Sequence, residues 1–260
     1  MSPARRRPSR VPGVVRRALA EARRAANHVG TGRREAAVMI GAFAAYNGVR
    51  ALGRTNIAEG LRNAERLERI QARLGIDIET KVQRFFLRHR LGMPAWNALY
   101  LGSQLVVMPS TLFLVHRYRR DSWPFVRNLA LISWTAGLVW YAAQPTAPPR
   151  LRSAEVVDTV SSHTVLKLDS RLIRSLYNPV AAMPSLHVGM SAVAAWALVR
   201  LTPWTWSRAL GYAYPALVTV AVVVTGNHYV LDVAGGLAVV LPSAAVAALL
   251  SPPGADPAPG

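Results

Sequence analysis

The chain has 260 residues, of which 52% are hydrophobic and only 17% charged, whereas soluble domains carry about 25% charged residues. This excludes an ordinary soluble domain and leaves apolar surface that must face lipid. Thirty-one Lys and Arg against 13 Asp and Glu give a net charge of +18, and the absence of cysteine removes disulfides, thiolate nucleophiles and Cys-ligated metals.

Residues 1–35 hold ten arginines against Glu21 and Glu35. That places a net of +8 directly before the first apolar stretch, which reads as the positive-inside signal of a membrane protein and not as a nucleic-acid surface. The basic segment is too long for the n-region of a secretory leader, no small-residue cleavage site stands out, and it reads as a basic cytoplasmic arm, although an Arg-rich, acid-poor start is shared with transit peptides. Six windows then approach the roughly 20 apolar residues that cross a bilayer: 36–53, 96–115, 125–143, 185–201, 209–226 and 230–250. Asn47 and Arg50 interrupt the first of these. The expected fold is all-α, a polytopic bundle of about six transmembrane helices over residues 36–250.

Between the first two windows, Ile57, Leu61, Ala64, Ile70 and Leu74 recur at helical spacing among Arg62, Glu65, Arg66, Glu68 and Arg69. This predicts an amphipathic helix at the membrane interface, packed on the bundle or guiding head groups. The Pro- and Gly-rich end, 251–260, reads as a disordered tail. With the arm inside, the inner segments carry a net +12 and the outer ones +6, which agrees with that orientation. It sets 144–184 and 226–229 on the outer face of, most simply, a bacterial plasma membrane.

Three clusters come to that face. In Gln144-Pro145-Thr146-Ala147-Pro148-Pro149-Arg150 the prolines end a helix and stiffen its exit, which fixes Arg150, although an interfacial arginine is an ordinary feature. In Asn178-Pro179-Val180-Ala181-Ala182-Met183-Pro184-Ser185-Leu186-His187, Pro184 suits a first helical position. The amides of Ser185, Leu186 and His187 then form a positive helix mouth suited to phosphate; Ser185 also fits a plain capping role. In Thr225-Gly226-Asn227-His228-Tyr229-Val230-Leu231-Asp232, a helix begun by His228 puts His228 and Asp232 four apart on one face. There the carboxylate orients the imidazole, or the pair merely stabilises the turn. No cluster of Asp, Glu and His stands at metal-ligand spacing, so no metal or other cofactor is expected.

These residues resemble the type 2 phosphatidic acid phosphatase superfamily. Pro184-Ser185-Leu186-His187 is similar to its PSGH motif and His228-x-x-x-Asp232 to the end of its third motif. AAMPSLH, NHYVLDV and the PTAPP segment look most like the inositol phosphorylceramide synthase branch and its bacterial relatives. Where the common first motif has lysine this chain has Ala143, and where the third has arginine it has Val222; Arg152, Lys167, Arg171 or Arg174 are candidate substitutes. The resemblance implies a six-helix membrane enzyme acting on a lipid phosphate or diphosphate without metal. In it His228 attacks phosphorus, Asp232 orients His228, His187 protonates the leaving oxygen, and Arg150 with the amides at Ser185 and Leu186 binds phosphate. Hydrolysis is the leading expectation. Lipid head-group phosphotransfer, in which an alcohol such as inositol or a sugar replaces water, is the alternative, and a catalytically silent scaffold or transporter would need three motif matches by coincidence.

Overall fold

Each apolar window folds as a helix. The computed structural model describes residues 17, 20–24, 28, 30–52, 56–89, 92–163 and 178–251. Its principal helices are α1 (Gly32–Leu52), α2 (Ile57–Leu74), α3 (Glu79–Arg88), α4 (Met93–Tyr118), α5 (Trp123–Ala143), the short α6 (Pro149–Arg152) and α7 (Thr159–His163), then α8 (Leu186–Leu201), α9 (Thr205–Val224) and α10 (Val230–Leu250). Among the described residues there is no strand, only one isolated bridge between Thr146 and Ala181. The protein is an all-α membrane bundle. α4, α9 and α10 are long and apolar enough to cross a bilayer; α8 is apolar but has 16 residues. At 21 residues each, α1 and α5 reach about 31 Å.

Hydrogen bonds show which ends meet. At one end Arg127 of α5 donates to Glu35 of α1 (2.9 Å) and to the His28 carbonyl, Arg119 after α4 donates to the Leu201 carbonyl, and Arg23 donates to the Leu249 carbonyl. At the other end Ala147 N donates to Gly60 O, Arg150 N to Gly226 O and Ser185 N to Asp232 O. Six successive passes produce this alternation, and it gathers the three sequence clusters at the end away from the basic arm. Most of the arm, and the tail after 251, lie outside the described residues.

The segment between α1 and α4 holds the amphipathic helix its spacing predicts, α2, and a second helix beyond it, α3. They part at Gly75, whose left-handed backbone (φ 68, ψ 26) closes α2 with amide bonds to the carbonyls of Ala72 and Gln71 as a helix stop does. The docked face of α2 is Gly60, Ala64, Leu67 and Gln71; of the apolar set its spacing suggested, Ala64 is buried and Leu61 packs partly buried beside it, while Ile57, Ile70 and Leu74 are about half exposed. The reason is proximity. A Cβ on Gly60 would stand 2.5 Å from Val180 Cγ1, so the helix meets the loops below through its smallest residues, and larger side chains remain outside where an interfacial helix meets lipid. Within α4, residues 103–107 form a π-turn that ends two residues before Pro109, which has no N–H to continue the ladder.

Candidate active site

The α10 mouth begins at Gly226, whose φ of 72° favours glycine and whose added Cβ would stand 2.8 Å from Val156. This turn lets the amides of Asn227 and His228 both donate to the Val222 carbonyl. The helix starts at Val230, so His228 precedes it instead of sharing a helical face with Asp232 as the spacing suggested. Asp232, in the first turn, folds back. Its Oδ2 accepts from the Tyr229 amide at 2.8 Å and lies 3.3 Å from His228 Nδ1. The same carboxylate therefore caps the helix and faces the imidazole, merging the two readings of this pair. Asp232 is fully buried and His228 is 4% exposed, and with Nδ1 toward the carboxylate the other ring nitrogen, Nε2, is turned away from it.

Helices α2 and α3 complete this mouth. Glu79 Oε1 accepts from Val230 N (2.8 Å) and Gln71 Oε1 from Leu231 N (2.9 Å), and the Gln71 amide bridges to Glu79 (2.7 Å). Tyr229 donates its hydroxyl to Glu68 (2.9 Å); burial, then the Glu68 carboxylate, pushes the phenol up, which keeps it a neutral donor. Gln83, 1% exposed, accepts from Val157 N and donates to the carbonyls of Val157 and Val224. None of these acceptors was expected from the sequence. Gln71 falls on the small-residue stripe of α2 seven positions after Ala64, and a polar group there was the available signal.

The α8 mouth is built differently. Pro184, expected to open the helix, lies before it after a cis peptide; Ser185 is the N-cap and Leu186 the first helical residue. The Ser185 amide, expected to face the ligand, instead donates to the Asp232 carbonyl at 2.9 Å. Leu186 is 2% exposed, its side chain filling the space beside Gly137, so only its backbone can serve a ligand. No side chain caps α8. The Ser185 hydroxyl is buried without a hydrogen-bond partner among the described residues. The two mouths are held together because α10 presents Gly236 to Ser185: a Cβ there would come within 2.2 Å of the Ser185 carbonyl, so any larger residue forces the helices apart. Tyr141 of α5 fixes the approach by donating to the Pro184 carbonyl.

Arg150 arrives on α6. Thr146 pairs with the 180–182 strand-like segment through Thr146 N to Val180 O and Ala182 N to Thr146 O, and Arg150 N binds Gly226 O, so the proline-rich exit is tied to both other clusters. The Arg150 side chain is 3% exposed, with Nε 3.4 Å from Asp158. Arg152 turns outward to Glu68 (3.4 Å) and Glu65 (3.9 Å) on α2. Ala143 is exposed at the end of α5 and Val222 is buried in α9; Lys167, Arg171 and Arg174 lie outside the described residues.

The rings of His187 and His228 approach to 5.6 Å between centroids, inclined at 62°. Tyr100 of α4, unforeseen as a lone polar aromatic in an apolar window, stacks on His187 at 4.4 Å and 22°. Two imidazoles, one beside a carboxylate and one on an aromatic face, thus lie side by side where α8 and α10 begin. Among the described residues no group of three or more His, Asp or Glu could hold a metal ion.

An all-α membrane bundle whose loops bring a histidine pair, an aspartate and an arginine to one end has the form of a membrane phosphoryl-transfer enzyme. The model of the PAP2 superfamily matches residues 65–246, most of the chain, and the protein belongs to that superfamily. Membership makes it a phosphatase-type enzyme. Searches of curated proteins and of solved structures each gave no match.

Proposed function

We propose that the protein transfers a phosphoryl group from a lipid phosphate or diphosphate, without metal, through a phosphohistidine, and that water is the final acceptor. The observation that carries this reading is the placement of His228 against Asp232 with the His187 ring 5.6 Å away. His228 Nε2 attacks phosphorus while the bond to the leaving oxygen breaks, and His187 supplies the proton that oxygen needs. Water then attacks phosphorus, the P–N bond breaks, and phosphate leaves. Asp232 holds the attacking tautomer and steadies the charge that develops on the ring. Arg150 and the first amides of α8 offset charge on the equatorial oxygens, where proteins chiefly assist this reaction.

The second reading, head-group transfer to an alcohol, is favoured by AAMPSLH and NHYVLDV, which resemble the inositol phosphorylceramide synthase branch. Purified protein incubated in excess chelator with a panel of lipid phosphates, with and without inositol or a sugar, separates the readings. Phosphate release without added alcohol supports hydrolysis; turnover only with an alcohol supports transfer. Loss of activity on chelation, restored by a divalent ion, would overturn the metal-free mechanism.

The charge bias further supports a cytoplasmic basic arm with the site on the opposite face. A cysteine at Ser161 or Ser162 should react with an impermeant reagent only from the outer side. Reaction only from the side of the arm would reverse the topology.

A further inference from the structure

The end of the bundle nearest the basic arm carries a feature that phosphoryl transfer does not use. Between α1, α4 and α5 lies a cavity of about 530 Å³, within the range of ligand sites. Its walls include Met39 and Phe43 of α1, Met108 and Leu112 of α4, and Trp134 of α5. On α1 the lining runs from Gly32 to Phe43, which at 1.5 Å per residue is about 16 Å. That is close to half of the roughly 30 Å hydrocarbon core, the depth of one leaflet. The groove therefore matches one leaflet in length and is mostly apolar along it, Gln104 of α4 being a polar exception in its wall.

Its mouth is basic. Arg117 and Arg120 line it beside His116, and among the described residues neither arginine forms an ion pair. The His116 ring stands edge-on to Trp123 at 5.0 Å, and its Nε2 is buried without a hydrogen-bond partner among the described residues. A polar atom left this way inside an apolar groove calls for a polar ligand. Glu35, which also lines the cavity, is held by Arg127 at 2.9 Å and by the Gly30 amide at 2.7 Å, so it does not neutralise the mouth; Asp121 is exposed beyond Arg120. Along α4 the sixteen residues from Tyr100 to His116 put this mouth about 24 Å from the histidine pair.

We propose that this groove binds one anionic glycerophospholipid of the leaflet on the arm side, with an acyl chain between α1 and α4 and its phosphate at His116, Arg117 and Arg120. The apolar depth selects a lipid over a soluble anion, and the basic mouth selects its charge. The test is native mass spectrometry of the full chain in mild detergent, titrated with phosphatidylglycerol or phosphatidylcholine of identical chains. Phosphatidylglycerol should bind more tightly; Arg120→Gln should weaken it about 5-fold and the Arg117→Gln/Arg120→Gln pair about 30-fold, with phosphatidylcholine unchanged. Ala36→Phe, which fills the groove from an exposed position, should weaken both lipids. Each variant is compared at an unfolding midpoint equal to that of the parent. Equal binding of the two lipids by the parent, or phosphatidylglycerol binding that neither the arginine pair nor Ala36→Phe weakens, would overturn the proposal.

Discussion

The two helices that meet at the candidate site begin in opposite ways. At α10 the first amides are consumed within the protein: Glu79, Gln71 and Asp232 accept from Val230, Leu231 and Tyr229. At α8 no side chain caps the helix, and the nearest hydroxyl, that of Ser185, is buried without a partner among the described residues. Helix starts attract anions through their unsatisfied amides and dipole. A start already closed by carboxylate and amide oxygens serves instead as a fixed mount, here for His228, while α8 retains the chemistry of an anion site. In the proposed reaction the first helix holds the nucleophile and the second receives the phosphate.

The sharpest test of that contrast uses the histidines. His228→Ala should abolish the phosphoenzyme and turnover on every substrate. His187→Ala should lose roughly 10²–10⁴-fold on a lipid phosphate but recover much of that rate on an aryl phosphate whose leaving group needs no proton. Asp232→Asn should fall between, as an imidazole that is present but misoriented. Rescue of both alanine variants, or of neither, would end this division of roles.

A smaller effect is expected where the mounts touch. Gly236→Ala places a methyl against the Ser185 carbonyl and should lower stability by about 1–3 kcal/mol, the usual cost of overpacking. Gly41→Ala, with nothing within 4 Å of its Cβ position, is the matched control in thermal melts. Equal melting of the two variants would show that the helices separate without cost.

An effect of similar size should come from the closed mouth itself. Glu79→Ala leaves the Val230 amide and the Gln71 amide without their acceptor and should cost about 1–3 kcal/mol, whereas Glu79→Gln retains an oxygen and should cost less. If the cap acts only as a mount, the loss appears in stability and in turnover but not in the leaving-group dependence that separates the two histidines.

The six apolar windows were legible because a helix in lipid must satisfy its own backbone, which leaves length and apolarity as a direct signal. His187, His228, Asp232 and Arg150 were legible because their motifs lie at predicted helix ends on one face. What the sequence hid depends on contacts between elements distant in the chain. Gln71 and Glu79 read as ordinary polar positions of an interfacial segment, and nothing local shows that their partners are amides about 150 residues away. The spacing of His228 and Asp232 suggested a shared helical face, whereas the aspartate reaches back across a helix start, a geometry set by Gly226 and the Val222 carbonyl. The role of Ser185 was misjudged for a similar reason: its amide is taken by Asp232 of another helix.

The bend at Gly75 has a mechanical consequence. Gln71 lies before it and Glu79 after it, yet they grip adjacent amides of α10 and each other. The bend thus works as the pivot of a two-jawed clamp whose opening is set by the residues from Gly75 to Ile78. Surface connections ordinarily tolerate changes of length. Here a single added or removed residue would throw one jaw out of register, loosening the part of the protein that carries His228 while every residue of the site itself stayed intact.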